Sequence, residues 1–368
     1  MEHNRLIFTL IPFLSFASLN CQENCEETAY QCCEFTPPSC RFETSCGYRI
    51  FVDLDGLFWN VTENGLVIAQ TGVPGPGPQT EDVPPTSYNF KGKIERIEPD
   101  WDLGFRLGLG YHFLYDEWDI QANWTRYHTT DHKHIEGTAG DFLLNLWGHT
   151  DVVSSDVSSS IKVNWELQYD TLDFELSRAF GVGRCFCLRP YFGIRAALID
   201  QDLRIKNDAV LLNPRPDDSL STELLTKSDF TGAGFRFGLD GRFDFFYDMS
   251  LFAIGSYSLL YGKFDADFQE LSSGTGEGET VTDLLIADAN DRFSMGLSSL
   301  QLSLGLQWNR GFCCDRYRFG LHLAWEQNLW FQLNQMNHFL HRLSEGHLYQ
   351  ENGNLSFQGL IFGARFDF

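Results

Sequence analysis

Apolar and polar residues alternate with a period of two through most of the chain from Tyr48 onward. Leu300, Leu302, Leu304, Leu306 and Trp308 are separated by Gln301, Ser303, Gly305 and Gln307. Tyr317, Phe319, Leu321, Leu323 and Trp325 alternate with Arg318, Gly320, His322, Ala324 and Glu326. Leu103, Phe105, Leu107, Leu109 and Tyr111 do the same with Gly104, Arg106, Gly108 and Gly110. Further runs cover 118–124, 188–198, 233–239 and 360–368. Successive side chains of a strand point to opposite faces, so each run predicts a strand with one apolar face. Within 161–180 the apolar positions switch near Asp170, from Val163, Trp165 and Leu167 to Leu172, Phe174 and Leu176. That switch predicts a β-bulge.

Soluble sandwiches alternate too, so three further features set the fold class. The segments run about 10 to 18 residues, long for soluble strands and suited to tilted spanning ones. Short connections near 113–117, 181–187, 245–249 and 310–315 alternate with long ones at 72–98, 130–160, 202–229, 265–292 and 333–352. The last strand ends on Phe366 and Phe368, on one face with Leu360, Phe362 and Ala364. Such an ending resembles the assembly signal of bacterial outer-membrane barrels. The expected fold is all-β: a transmembrane, antiparallel, up-and-down β-barrel of about 10–12 strands, with short periplasmic turns and long extracellular loops. Nine strands follow Trp101, so 48–98 supplies one or three. Glu63, Asn64 and Gly65 between apolar runs read as a hairpin turn and favour twelve in total; one kinked strand gives ten.

Composition supports this picture. The chain holds 33 Phe and 33 Gly with a net charge of −23. So much aromatic surface excludes acidic disorder, and so many acids disfavour a nucleic-acid partner. Residues 1–17 carry an early Arg5, an apolar stretch and a small-residue end, which predict a secretory signal peptide. The expected organisation is signal peptide 1–17, Cys-rich periplasmic segment 18–47 and barrel 48–368.

Export permits disulfides, so Cys21, Cys25, Cys32, Cys33, Cys40, Cys46, Cys185, Cys187, Cys313 and Cys314 form a candidate set. Their spacing does not suit zinc. The expected topology puts all ten on the periplasmic side. Internal stapling and cross-linking to neighbouring envelope proteins both remain open.

If the apolar faces meet lipid, the alternate positions face the lumen. Arg106, Arg195, Arg236, Arg318 and Arg365, with Asp119, Asp173, Glu175 and Glu326, are the pore-lining candidates, because an Arg facing mid-bilayer lipid costs about 2–4 kcal/mol. Asp102, Asp240 and Asp367 share that face. Mixed inward charge suits a water-filled channel, or a closed lumen filled by salt bridges, which ten strands fit better than twelve. Residues 265–291 hold eight acids and no Lys or Arg, and read as a solvated loop. His128, His132 and His134 read likewise, with only weak metal spacing. No nucleophile triad, zinc-protease or phosphate-loop motif occurs, so no enzyme activity and no cofactor are expected.

Several segments resemble the major outer membrane protein-like porins of Legionella and chlamydia-related bacteria. They are Leu57, Phe58 and Trp59 with Asn64, Gly65 and Leu66; the run 101–111 around Gly104, Phe105 and Arg106; 172–176 followed by 189–197 and then Asp200 and Gln201; and later Leu260, Tyr261 and Gly262, and Ala324, Trp325 and Glu326. The resemblance spans 48–368 outside the loops. It implies a bacterial outer-membrane barrel with pore activity for small hydrophilic solutes and ions. The Cys-rich start is similar to the disulfide-linked envelope of chlamydia-like organisms, which implies the alternative of a cross-linked structural protein or adhesin. Expected partners are the lipid bilayer, small solutes and ions, disulfide-linked envelope proteins and further copies in a homo-oligomer.

Overall fold

The computed structural model describes residues 50–74, 92–113, 118–137, 141–147, 157–182, 185–210, 218–246, 248–276, 279–312, 317–339 and 348–368. The expected signal peptide, the expected Cys-rich segment with its six cysteines, and Cys313 and Cys314 lie outside the described residues. Every regular element among those described is a strand. In chain order they are β1 (Ile50–Glu63), β2 (Val67–Pro74), β3 (Ile94–Arg96), β4 (Asp102–His112), β5 (Trp118–Glu136), β6 (Asp141–Asn145), β7 (Val157–Arg178) and β8 (Phe180–Val182). They continue as β9 (Phe186–Ala209), β10 (Ser219–Phe246), β11 (Met249–Gly276), β12 (Glu279–Phe312), β13 (Tyr317–Asn334), β14 (Asn337–Phe339), β15 (Leu348–Gln350) and β16 (Gly353–Asp367).

Antiparallel pairing runs β1, β4, β5, β7, β9, β10, β11, β12, β13, β16 and back to β1, closing a ring of ten. Ten lies within the expected range, but the hairpin that favours twelve does not form. Gly65 does turn the chain, with φ +97°. The strand beyond it, β2, pairs with β3 and β6 and leaves β1 to pair with β4 and β16. The small sheet of β2, β3 and β6 packs Leu66, Ile68, Leu143 and Trp147 into the apolar cluster, and Trp147 Nε1 donates to the Val67 carbonyl at 2.6 Å.

The expected bulge at Asp170 is also absent. Tyr169, Asp170 and Thr171 of β7 pair in unbroken register with β5 and with β9. What changes is the polarity of the two faces. On β9, Phe192, Ile194 and Leu198 point outward and are 57%, 53% and 52% exposed, while Arg195 is buried inside. Beyond Leu198 the outward residues are Asp200, Asp202, Arg204 and Lys206, and the buried inward ones are Ile199, Leu203 and Ile205. On β7 the same exchange separates outward Leu172 and Phe174 from inward Trp165, Leu167 and Tyr169. Side-chain parity does not slip at this switch. The wall leaves lipid, so its outer face must be hydrated while the enclosed space becomes a dry core.

For the same reason, much of the stretches 130–160, 202–229 and 265–292 that read as loops is strand, namely 130–136, 141–145, 157–160, 202–209, 219–229, 265–276 and 279–292. They extend the barrel past its apolar belt at the end opposite the short turns. His128, His132 and His134 stand exposed on β5, and no cluster of metal-ligating side chains forms among the described residues. Not all Phe face lipid: Phe51, Phe230, Phe264, Phe268 and Phe357 are fully buried. Glycines make room for some inward rings. A Cβ on Gly110 would lie 2.0 Å from the Phe51 ring, and one on Gly238 would lie 2.3 Å from Tyr191.

On the outer face just beyond the belt, Asp200 of β9 pairs directly with Asp229 of β10, and Asp229 with Asp265 of β11. Partial burial first, then the charges of Asp200 and Asp202, push the Asp229 carboxyl up to about 6. A carboxylate raised above its unfolded value costs stability as pH rises through that window. Asp229→Asn is therefore expected to stabilise the protein at pH 7, with the gain disappearing below about pH 4, as read by urea unfolding at several pH values. The boundary itself is tested by charge insertion. Ile194→Arg, outward in the belt, should cost about 2–4 kcal/mol in folding into lipid, whereas Gln168→Arg, outward beyond it, should cost under about 1 kcal/mol.

Candidate functional site: a charged lumen

Inside the apolar belt the lumen holds a layer of paired charges, set by the inward parity of each strand. Asp173 and Glu175 share the inner face of β7, and Arg195 sits directly opposite Asp173 on β9. The two form a bidentate pair at 2.6 and 2.7 Å, both buried. Arg236 of β10 lies one strand further. It reaches Glu175 at 2.7 Å because the residue between them is Gly193, opposite both. A Cβ there would fall 1.9 Å from the Phe174 carbonyl oxygen. The same device recurs across the ring. Gly363 of β16 separates Asp55 of β1 from His322 of β13, and these two meet at 3.0 Å. A Cβ on Gly363 would lie 2.2 Å from Asp55 Oδ1.

Other pairs cross the lumen. Arg106 of β4 donates to both carboxylate oxygens of Glu326 on β13, at 2.8 and 3.3 Å, and lies 3.7 Å from Asp55. Arg195 also reaches Ser299 and Gln301 of β12 at 3.3 Å, and Arg236 reaches Gln301 at 2.9 Å. Towards the short-turn end, Arg365 contacts Asp367, His112 and Asp53, at 3.1, 3.2 and 3.7 Å, and His112 bonds Asp119. Arg189 pairs with Asp240 at 3.1 Å. Between these groups is a chamber of about 190 Å³ whose lining includes Asp53, Asp119, Arg189, Tyr191 and Arg236.

Beyond the charged layer the lumen is shut by rings. Tyr169 of β7 and Trp330 of β13, from opposite sides of the ten-strand ring, have centroids 5.9 Å apart. Asn328 donates to the Tyr169 hydroxyl at 3.1 Å. Phe357 packs on Tyr169 at 4.6 Å, and on Trp59 and Tyr127 at 5.4 and 5.7 Å.

Of the sequence candidates, Arg106, Arg195, Arg236, Arg365, Asp119, Asp173, Glu175 and Glu326 all enter this inward network. Arg318 lies at the start of β13 near the short turns, opposite Asp367 in the register, and its charge acts on Asp244. Asp53, Asp55, Arg189 and His322 extend the candidate list. Their signal was present: Asp53 and Asp55 alternate with outward Val52 and Leu54, and His322 lies between outward Leu321 and Leu323. Phe366 is exposed on the outer face, and the Phe368 backbone exchanges two hydrogen bonds with Ile50, closing the ring at the short-turn end. Cys185 is exposed and Cys187 buried there, and no disulfide forms among the described residues.

A closed antiparallel ring with an apolar outer belt and a charged interior defines an outer-membrane β-barrel protein. The model of the Legionella pneumophila major outer membrane protein precursor family matches residues 53–368, and the chain belongs to that family. Among solved structures it is similar to the Escherichia coli outer membrane protease OmpT, at 10% identity and TM-score 0.36, covering 91% of this chain and 99% of that one. It is also similar to Ail, the attachment invasion locus protein of Yersinia pestis, at 12% identity and TM-score 0.24, covering 87% of this chain and 99% of that one. A Pseudomonas aeruginosa FadL homologue aligns at 10% identity and TM-score 0.25, covering 87% and 90%. Similarity at this level carries no chemistry across. No curated protein matches the chain by sequence.

Breaking a buried ion pair from one side leaves an uncompensated charge. Asp173→Asn, which strands Arg195, is expected to lower unfolding stability by about 3–5 kcal/mol, measured by urea titration in detergent or lipid. The double variant Asp173→Leu with Arg195→Met should recover much of that loss.

Proposed function

We propose that the protein is a narrow outer-membrane porin for small ions and water-sized hydrophilic solutes, shut in the conformation described. The observation that carries this reading is the charged chamber inside the lipid-facing belt. An interior lined with Arg, Asp and Glu at that depth has the chemistry to stabilise ions that have shed part of their hydration. Where Tyr169 meets Trp330, the obstruction is a layer of side chains from opposite walls. Opening that contact needs rotamer changes and leaves the strand ladder intact.

A second reading is a structural envelope protein with an adhesive outer end. It is favoured by the number of contacts that tie opposite walls together and by the exposed Cys185 at the short-turn end, where a neighbouring envelope protein could form a disulfide. Neither reading calls for a cofactor.

Planar-bilayer recording separates them. The purified barrel should show small, discrete ion conductances, and Tyr169→Ala combined with Trp330→Ala should raise unitary conductance several-fold. Silence from both folded proteins would sink the porin reading and leave the structural one. High-mass species on non-reducing gels that collapse with thiol would support cross-linking independently.

A further inference from the structure

The walls of the barrel do not rise to one height. On the ring, β11 and β12 continue to Gly276 and from Glu279, joined at the tip of a long hairpin. The neighbour of β12 on its other side, β13, pairs with it only over Ser298 to Phe312. Residues 279–297 of β12 therefore bond to β11 along one edge, and along the other no described residue pairs with them. On the opposite flank β7 is covered by β5 and, at its start, by β6. The outer edge of β5 over residues 127–136 has no described strand beside it either, but there Lys133 reaches Glu95 and the Arg96 carbonyl, and the Glu98 N–H donates to Asp131. No such contact from beyond its free edge is seen for β12 among the described residues.

A bare edge presents alternate N–H and C=O groups ready to accept another strand. Natural edges are usually blunted by Lys, Pro, bulges or brevity. Residues 279–297 contain no Lys or Pro, and their one basic residue, Arg292, is tied to Asp265 of β11 at 2.9 Å. The register irregularities lie near the tip, at Glu270/Leu271 and Ser272/Gly274 of β11, and the pairing of 287–297 is regular. What the edge does carry is acid. Asp288 is exposed on its outer face, and Asp291 is exposed beside partly buried Ala287, Ala289 and Phe293. The hairpin from 265 to 291 holds eight acids and no basic residue. Edge-to-edge pairing of two copies would set acid against acid, and like charges in register are destabilising. Val281, Leu284 and Leu285, exposed near the tip, add apolar surface that an incoming strand would cover.

We infer that the free edge of β12 is a docking site for an extended basic segment of a partner protein, added as one more antiparallel or parallel strand. Main-chain hydrogen bonds supply the grip, and Lys or Arg at every second position of the segment answers the carboxylates. This goes beyond pore activity and does not depend on whether the lumen conducts.

The test uses the full folded protein in lipid nanodiscs and a synthetic peptide of alternating Lys and Val, seven residues long. Two control peptides replace Lys by Glu, or place Pro at the centre while keeping the charge. Hydrogen exchange should show protection of alternate amides in 287–297 on adding the Lys–Val peptide. Affinity should fall at least tenfold for the Pro peptide and vanish for the Glu peptide. On the protein side, adjacent residues of a strand point their N–H groups to opposite edges. One of Ala289→Pro and Asn290→Pro therefore removes a bond to β11, and the other blocks only the free edge. The variant that keeps the β11–β12 exchange pattern must lose peptide binding. Equal binding of the Lys–Val and Pro peptides would mean simple charge attraction and overturn the inference. So would protection, before any peptide is added, of the alternate amides of 287–297 that face away from β11, since that edge would already be covered by this chain or a second copy, and so would peptide protection at another surface.

Discussion

Each strand of this barrel has two faces that cannot be exchanged without slipping a residue, and the paired registers run unbroken from the short turns to the far rim along most of the ring. The surroundings on the two sides, however, do change along the way. Within the belt the outside is lipid and the inside is polar; past Leu198 on β9 and Thr171 on β7 the outside is water and the inside is dry. Fixed parity in changing surroundings forces a simultaneous reversal of composition on both faces. The aromatic plug, the ion-pair layer and the acidic outer ladder all follow from that constraint.

The ion-pair layer depends on a second geometric condition. Arg and Glu or Asp on neighbouring strands meet readily, but a ring only ten strands across must also link charges two strands apart. Gly193 and Gly363 meet that need by leaving a gap on the intervening strand. Their neighbours then bond across them, so that charge satisfaction and barrel width are coupled. Desolvating both ions of such a buried pair offsets most of their attraction, so the pair adds little net stability while losing one partner is costly.

Much of this was legible in the chain. Alternation at 300–308 and 317–325 names the outward faces correctly, and inward Arg195, Arg236 and Glu326 follow from parity alone. The count of ten was less accessible, because the turn at Gly65 has hairpin chemistry and only tertiary pairing sends β2 away from β1. The switch at Asp170 was visible but ambiguous. A bulge and a change of solvent produce the same apolar pattern, and the sequence does not state where lipid ends. The extended walls were hidden for a related reason: strands with a hydrated outer face and many acids look like loops. Glycines that bridge charges were visible only as part of the general alternation.

The reversal of faces also bears on how such a barrel is made. Each wall strand must carry its distal half, with Asp200, Asp202, Arg204 and Lys206 outward on β9 alone, from one side of a bilayer to the other before the ring closes. A hairpin sliding singly through hydrocarbon would drag those hydrated charges across lipid while its dry inner residues had nothing to pack on. The kinetic barrier to unassisted insertion is therefore built into the finished structure. A route in which the strands cross together, already pairing, avoids that cost.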